Sequence, residues 1–106
     1  MPNYTERIPI YDRVLERNGM LLQSVVALEE LSECQKEICK ILRGEGNWDH
    51  LAEEIADAFI MLEQIQNMYN LDKQVSEHID KKLVRLKYRL KLERCDDNEN
   101  CRDTAL

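Results

Sequence analysis

Apolar residues recur at helical spacing along most of this chain. Over residues 20–43, Leu21, Leu28, Leu31, Ile38 and Leu42 fall on a and d positions, and Val25, Val26 and Ile41 widen the stripe. Lys40 and Arg43 occupy the last turn, where cations favour the helix dipole, and Gly44 and Gly46 end the element. Asn47 is a good N-cap for a second long helix over 48–69, with Asp49 in its first turn. Its apolar face is Leu51, Ile55, Ala58, Phe59, Leu62, Ile65 and Met68 or Tyr69, and Asn70 closes it. Asp72 caps a third long helix over 73–93, striped by Val75, Ile79, Leu83, Leu86 and Leu90. Ahead of these, residues 1–8 are a loose start, and Pro9 opens a short helix that runs to Arg17 and stops at Asn18-Gly19. Residues 95–106 lack periodicity and read as a mobile acidic tail.

The link over 44–47 is short, so consecutive helices run antiparallel. One apolar stripe per long helix predicts an all-α antiparallel bundle, a single domain over 1–94 followed by the tail. Three long helices give a thin core, and Val26, Ile60 and Met61 flank the stripes and need cover. A homo-oligomer is expected, most simply a dimer.

Composition agrees with this and adds an asymmetry. The 106 residues are 43% hydrophobic and 34% charged, with three Gly, two Pro and one Phe, which disfavours a turn-rich all-β protein. No apolar run reaches the ~20 residues of a membrane span. The charged N-terminus does not read as a signal peptide. Net charge is −6, but residues 1–70 carry −7, residues 71–94 carry +4 and residues 95–106 carry −3. An acidic body disfavours non-specific binding to nucleic acid and suits cations. Cys34, Cys39, Cys95 and Cys101 form no CxxC pair and read as reduced thiols of a cytoplasmic protein, with Cys34 and Cys39 on different faces.

The informative chemistry is in ALEELSE (27–33) and AEEIAD (52–57). Glu30 and Glu33 share one helix face, and Glu54 and Asp57 share another. Counted from the link, the two pairs differ in height by roughly one helical turn, which glutamate side chains can bridge. Four convergent carboxylates repel unless a cation lies between them. Hard oxygen ligands suit Mg²⁺, with Mn²⁺ as a substitute, and Mg²⁺ commonly completes its shell from substrate phosphates. Asp57 stands mid-helix between Ile55, Ala56, Ala58 and Phe59, a poor place for an aspartate without a task. A di-iron bundle would need Glu-x-x-His, and neither His50 nor His78 has a glutamate three residues before it.

EELSE and EIAD, separated by 20 residues, resemble the EExxE…ExxD pattern of the MazG-like all-α nucleoside triphosphate pyrophosphohydrolases. The wider phrase over 20–92 is similar to small members of that family carried by phages and Gram-positive bacteria. The resemblance implies an oligomeric bundle, dimer or tetramer, that cleaves an NTP or dNTP between the α and β phosphates. It implies Mg²⁺ ligands at Glu30, Glu33, Glu54 and Asp57. Glu29 would orient the attacking water or a neighbouring group, and Glu29 or Glu33 would serve as the base.

Triphosphate needs cations. Lys36 and Lys40 share the face of Glu33, with Arg43 one turn on. On the third long helix Lys82, Arg85 and Arg89 form a stripe, and the resemblance favours Lys82 and Arg85. Trp48 is a candidate to stack on a base, or else packs the hairpin end. The alternative to an enzyme is a helical interaction or regulatory module that uses the basic third helix as its contact surface.

Overall fold

Asn3 and Glu6 set where the first helix begins. The Asn3 side chain accepts from the Glu6 backbone N–H at 2.9 Å, and the Glu6 carboxylate accepts from the Asn3 N–H at 3.0 Å. This reciprocal capping box starts α1 (Tyr4–Asn18) earlier than Pro9, correcting the expected loose start. Pro9 lies inside α1, where its missing N–H leaves one intrahelical bond unmade. The computed structural model describes residues 2–97, with side chains as far as Leu92. Within them follow α2 (Met20–Leu42), α3 (Trp48–Met68) and α4 (Asp72–Asp97), with no strand among the described residues. No helix there is long and apolar enough to cross a membrane.

Gly19, at φ 81°, is the whole of the α1–α2 joint. Its N–H donates to the Leu15 carbonyl at 2.8 Å and its carbonyl accepts from Gln23 at 3.2 Å. The end of α2 is a Schellman motif: Gly44 donates to Ile41 at 3.0 Å, Glu45 donates to Lys40 at 2.9 Å, and Gly44 takes φ 76°. Asn47 caps α3 as expected, accepting from His50 N–H at 3.0 Å. A second Schellman motif ends α3, with Asn70 at φ 54° and Leu71 donating to Gln66 at 2.9 Å.

The chain divides into two compact units, Met1–Leu71 and Asp72–Leu106. In the first, α2 and α3 pair antiparallel. Buried Gln23 donates to Gln64 at 2.8 Å, and Gln64 donates to the Met61 sulfur at 3.4 Å. Asn18 donates to Gln23 at 2.7 Å, extending the amide chain to the end of α1. At the other end of the hairpin His50 meets buried Glu37. Helix α1 is fixed to α3 by Arg7, whose Nε and Nη2 donate to the two oxygens of Glu63 at 2.8 and 2.6 Å. The Tyr11 hydroxyl donates to the same carboxylate at 2.5 Å, and Asn67 donates to Asp12 at 2.8 Å.

The stripe expected to form the core of α2 is not the stripe that faces α3. Gln23, Ala27, Glu30, Cys34, Glu37 and Ile41 occupy that seam, itself a heptad pattern. Leu21 and Leu42 are each 81% exposed, and Leu28 and Ile38 are exposed as well. On α3 the buried positions are Met61, Gln64 and Met68, while Ile55, Phe59, Ile60 and Leu62 are exposed. The apolar stripe of α2 lies roughly 100° around the helix from the seam, one residue step. Gln23 and Glu37 hold their seam positions because Gln64 and His50 meet them from α3, which offsets the cost of burying them. Each leucine left in water forfeits about 1.5–3 kcal/mol of burial.

In the second unit, α4 begins at Asp72, which lies in its first turn instead of before it. The helix continues through Asp97, into the segment expected to be a tail, and the remainder of that segment lies outside the described residues. Ile79, Leu83, Leu86 and Leu90 are exposed.

Candidate metal centre

The pairing that sets Gln23 opposite Gln64 and Glu37 opposite His50 also sets Glu30 opposite Asp57. The two carboxylate pairs are therefore level, and the one-turn offset expected from counting residues is absent. The link accounts for this by folding back along the last turn of α2. Gly46 lies so close that a Cβ there would stand 2.8 Å from the Ile41 backbone nitrogen.

Glu30, Glu54 and Asp57 each offer a carboxylate oxygen, all within 4.8 Å of one another, and all three residues are half-buried. Glu54 Oε2 is buried with no hydrogen-bond partner, in a side chain only 13% exposed. Among the described residues no Lys or Arg lies within ion-pair distance of Glu30 or Asp57. Burial, then the charges of Asp57, Glu54, Glu33 and Glu29, push the Glu30 carboxyl above the usual range. These are the conditions under which like charges are held together against repulsion.

The structure brings together three of the four expected ligands. Glu33 is exposed and pairs with Lys36 at 3.6 Å, although its charge still acts on Glu30. Glu29 is exposed and outside the group. Lys36, Lys40 and Arg43 line one open cleft of about 420 Å³ on α2, together with Ser32, Gln35 and Cys39. Within it Lys40 donates to Glu37 at 3.0 Å. Lys82 and Arg85 are exposed on α4, in the second unit. Trp48 is 73% exposed at the start of α3, so it does not pack the hairpin end. Cys34 and Cys39 are free thiols, and Cys34 faces the seam while Cys39 is exposed. Cys95 and Cys101 lie beyond the described side chains.

Two residues that the sequence left without a role belong to this neighbourhood. Glu37 is buried, its side chain only 3% exposed, and meets Lys40 and His50 Nδ1, the latter at 3.3 Å. The Lys40 hydrogen bond, helped by His50, holds the Glu37 carboxyl below the usual range. His50 Nε2 stands 3.5 Å from Glu54 Oε1. The available signal was spacing: His50 is four residues before Glu54, and Glu37 is seven after Glu30. No protein-family model, no curated protein and no solved structure matches the chain.

Proposed function

We propose that this protein is a Mg²⁺-dependent nucleoside triphosphate pyrophosphohydrolase, releasing pyrophosphate and a nucleoside monophosphate. The observation that carries the reading is the Glu30–Glu54–Asp57 group, three oxygens within 4.8 Å, with no Lys or Arg among the described residues at ion-pair distance from Glu30 or Asp57. An all-oxygen donor set on two helices fits a hard divalent cation, and the unpartnered Glu54 oxygen fits a missing ligand bond. The metal, when bound, would neutralise phosphate charge and acidify a bound water. Glu29 and Glu33, outside the triad, are the candidates to orient that water and take its proton. Lys36 and Lys40, in their common cleft with Arg43, offer charge to the departing phosphates. Lys82 and Arg85 are further candidates for phosphate binding, and exposed Trp48 for stacking on the base.

The working form is a homo-oligomer, dimer or tetramer, in a reducing cytoplasm. Its support is the apolar stripe of α2 and the open groove of about 590 Å³ that Ala52, Ile55, Phe59 and Ile60 help to line. A second copy would bury what the single chain leaves in water. The MazG-like family resemblance of EELSE and EIAD supports the reaction class. A helical interaction module remains the second reading, favoured by the exposed apolar residues of α4 among its cations.

The test is pyrophosphate release from a panel of NTPs and dNTPs, with Mg²⁺ and with EDTA. Mg²⁺-dependent release that Asp57→Asn abolishes is expected. No release from any nucleotide by folded protein contradicts the enzyme reading and favours the interaction module.

A further inference from the structure

We propose that His50 is a positioning residue that holds Glu54 in its metal-binding orientation and is itself anchored by Glu37. The inference rests on the reading of Glu54 as a ligand. His50 spans two carboxylates, Glu37 on α2 and Glu54 on its own helix. Its Nδ1 is 3.3 Å from Glu37 Oε2 and its Nε2 is 3.5 Å from Glu54 Oε1. The two contacts lie on opposite sides of a planar ring, at ion-pair distance, and together restrict its orientation more than one would.

The anchor is itself constrained. Glu37 is buried, and Lys40 takes its other oxygen at 3.0 Å. The chain Lys40–Glu37–His50–Glu54 thus runs from the cation cleft to the acidic triad across the α2–α3 seam. It engages Oε1 of Glu54 and leaves Oε2 buried and without a partner, an oxygen with a lone pair to give a metal ion. Groups that orient metal ligands in this way typically govern affinity by about ten- to a hundred-fold. Backbone placement supports the arrangement: the Asn47 cap holds His50 N–H at 3.0 Å, fixing the start of α3 where the imidazole projects.

The experiment is Mn²⁺ binding to the full chain, followed by electron paramagnetic resonance of the free ion, in wild type, His50→Ala, His50→Gln and Glu37→Gln. His50 is half exposed, so His50→Ala is expected to keep its fold, checked by circular dichroism in EDTA. Its Mn²⁺ affinity is expected to fall about ten- to a hundred-fold. His50→Gln, which retains a side-chain donor, is expected to recover most of that loss, and a purely structural role would not give this rescue. The His50 ring resonances of wild type are expected to shift on adding Mg²⁺, and less so in Glu37→Gln.

Folded His50→Ala that binds Mn²⁺ as tightly as wild type overturns the proposal and leaves the metal reading intact. His50→Gln as weak as His50→Ala overturns the donor role. Wild type that binds no Mn²⁺ overturns the metal reading and this proposal together.

Discussion

Glu63 and Glu30 are both partly buried glutamates of the same three-helix unit, and their carboxyl pKa values move in opposite directions. Glu63 sits at the α1–α3 contact, where the bidentate Arg7 pair and the Tyr11 hydroxyl lower it against the cost of burial. Burial raises Glu30, and the carboxylates of Asp57, Glu54, Glu33 and Glu29 raise it further. The Arg7–Glu63 corner is a completed electrostatic unit that joins two helices. The Glu30–Glu54–Asp57 group is an incomplete one, which spends stability to keep like charges together. That difference separates a carboxylate with a structural task from one that we propose binds a cation.

The largest expected effect comes from Asp57→Asn, which removes one member of the incomplete group. Pyrophosphate release is expected to fall at least about a hundred-fold while the fold persists. Next is the link. Gly46→Ala drives a methyl into the Ile41 backbone and shifts the register that levels the carboxylates. A loss of about 1–3 kcal/mol is expected in urea unfolding, with weakened metal binding.

At the completed corner, Glu63→Gln removes the charge that Arg7 clasps, and a loss of about 1 kcal/mol is expected. This loss carries a pH signature. The folded carboxyl lies below its unfolded value, so its contribution is full above the ordinary carboxylate range. It disappears as pH falls through the lowered folded value. Wild type and Glu63→Gln are therefore expected to differ in melting temperature at neutral pH and to converge in acid. The smallest effect is at the start of α1, where Asn3→Ala breaks the capping box and costs about 0.5–1 kcal/mol in thermal unfolding.

Much of the helical architecture was legible because caps and periodicity are local. Asn47, Gly44 and Asn70 act where their side chains or φ angles require. Asn3 was equally legible in principle, since Asn-x-x-Glu is a capping box, but Pro9 is the louder start signal and pointed later. The partner of each stripe was not legible. Periodicity says which residues share a face and not which face meets which helix. The leucines of α2 therefore read as the core, although Gln23, Ala27, Glu30 and Glu37 hold that place.

The level of the two carboxylate pairs was also out of reach. It depends on the link doubling back at Gly46, a close approach that residue counting cannot supply. Three of the four expected carboxylates do meet: i,i+3 spacing keeps Glu54 and Asp57 on one face, and the register sets Glu30 against them. Glu33 falls on the exposed rim beside Lys36. His50 and Glu37 carry only a spacing signal in the sequence, because their partnership exists only across the seam.

The comparison is tested most directly by the melting temperature of wild type and Asp57→Asn, each measured in EDTA and in Mg²⁺. In EDTA the variant is expected to melt slightly higher, by about 0.5 kcal/mol of relieved repulsion. With Mg²⁺ wild type is expected to rise through ligand linkage and overtake a variant that barely responds. A wild-type melting temperature that Mg²⁺ leaves unchanged, with Asp57→Asn no more stable than wild type in EDTA, would contradict the account.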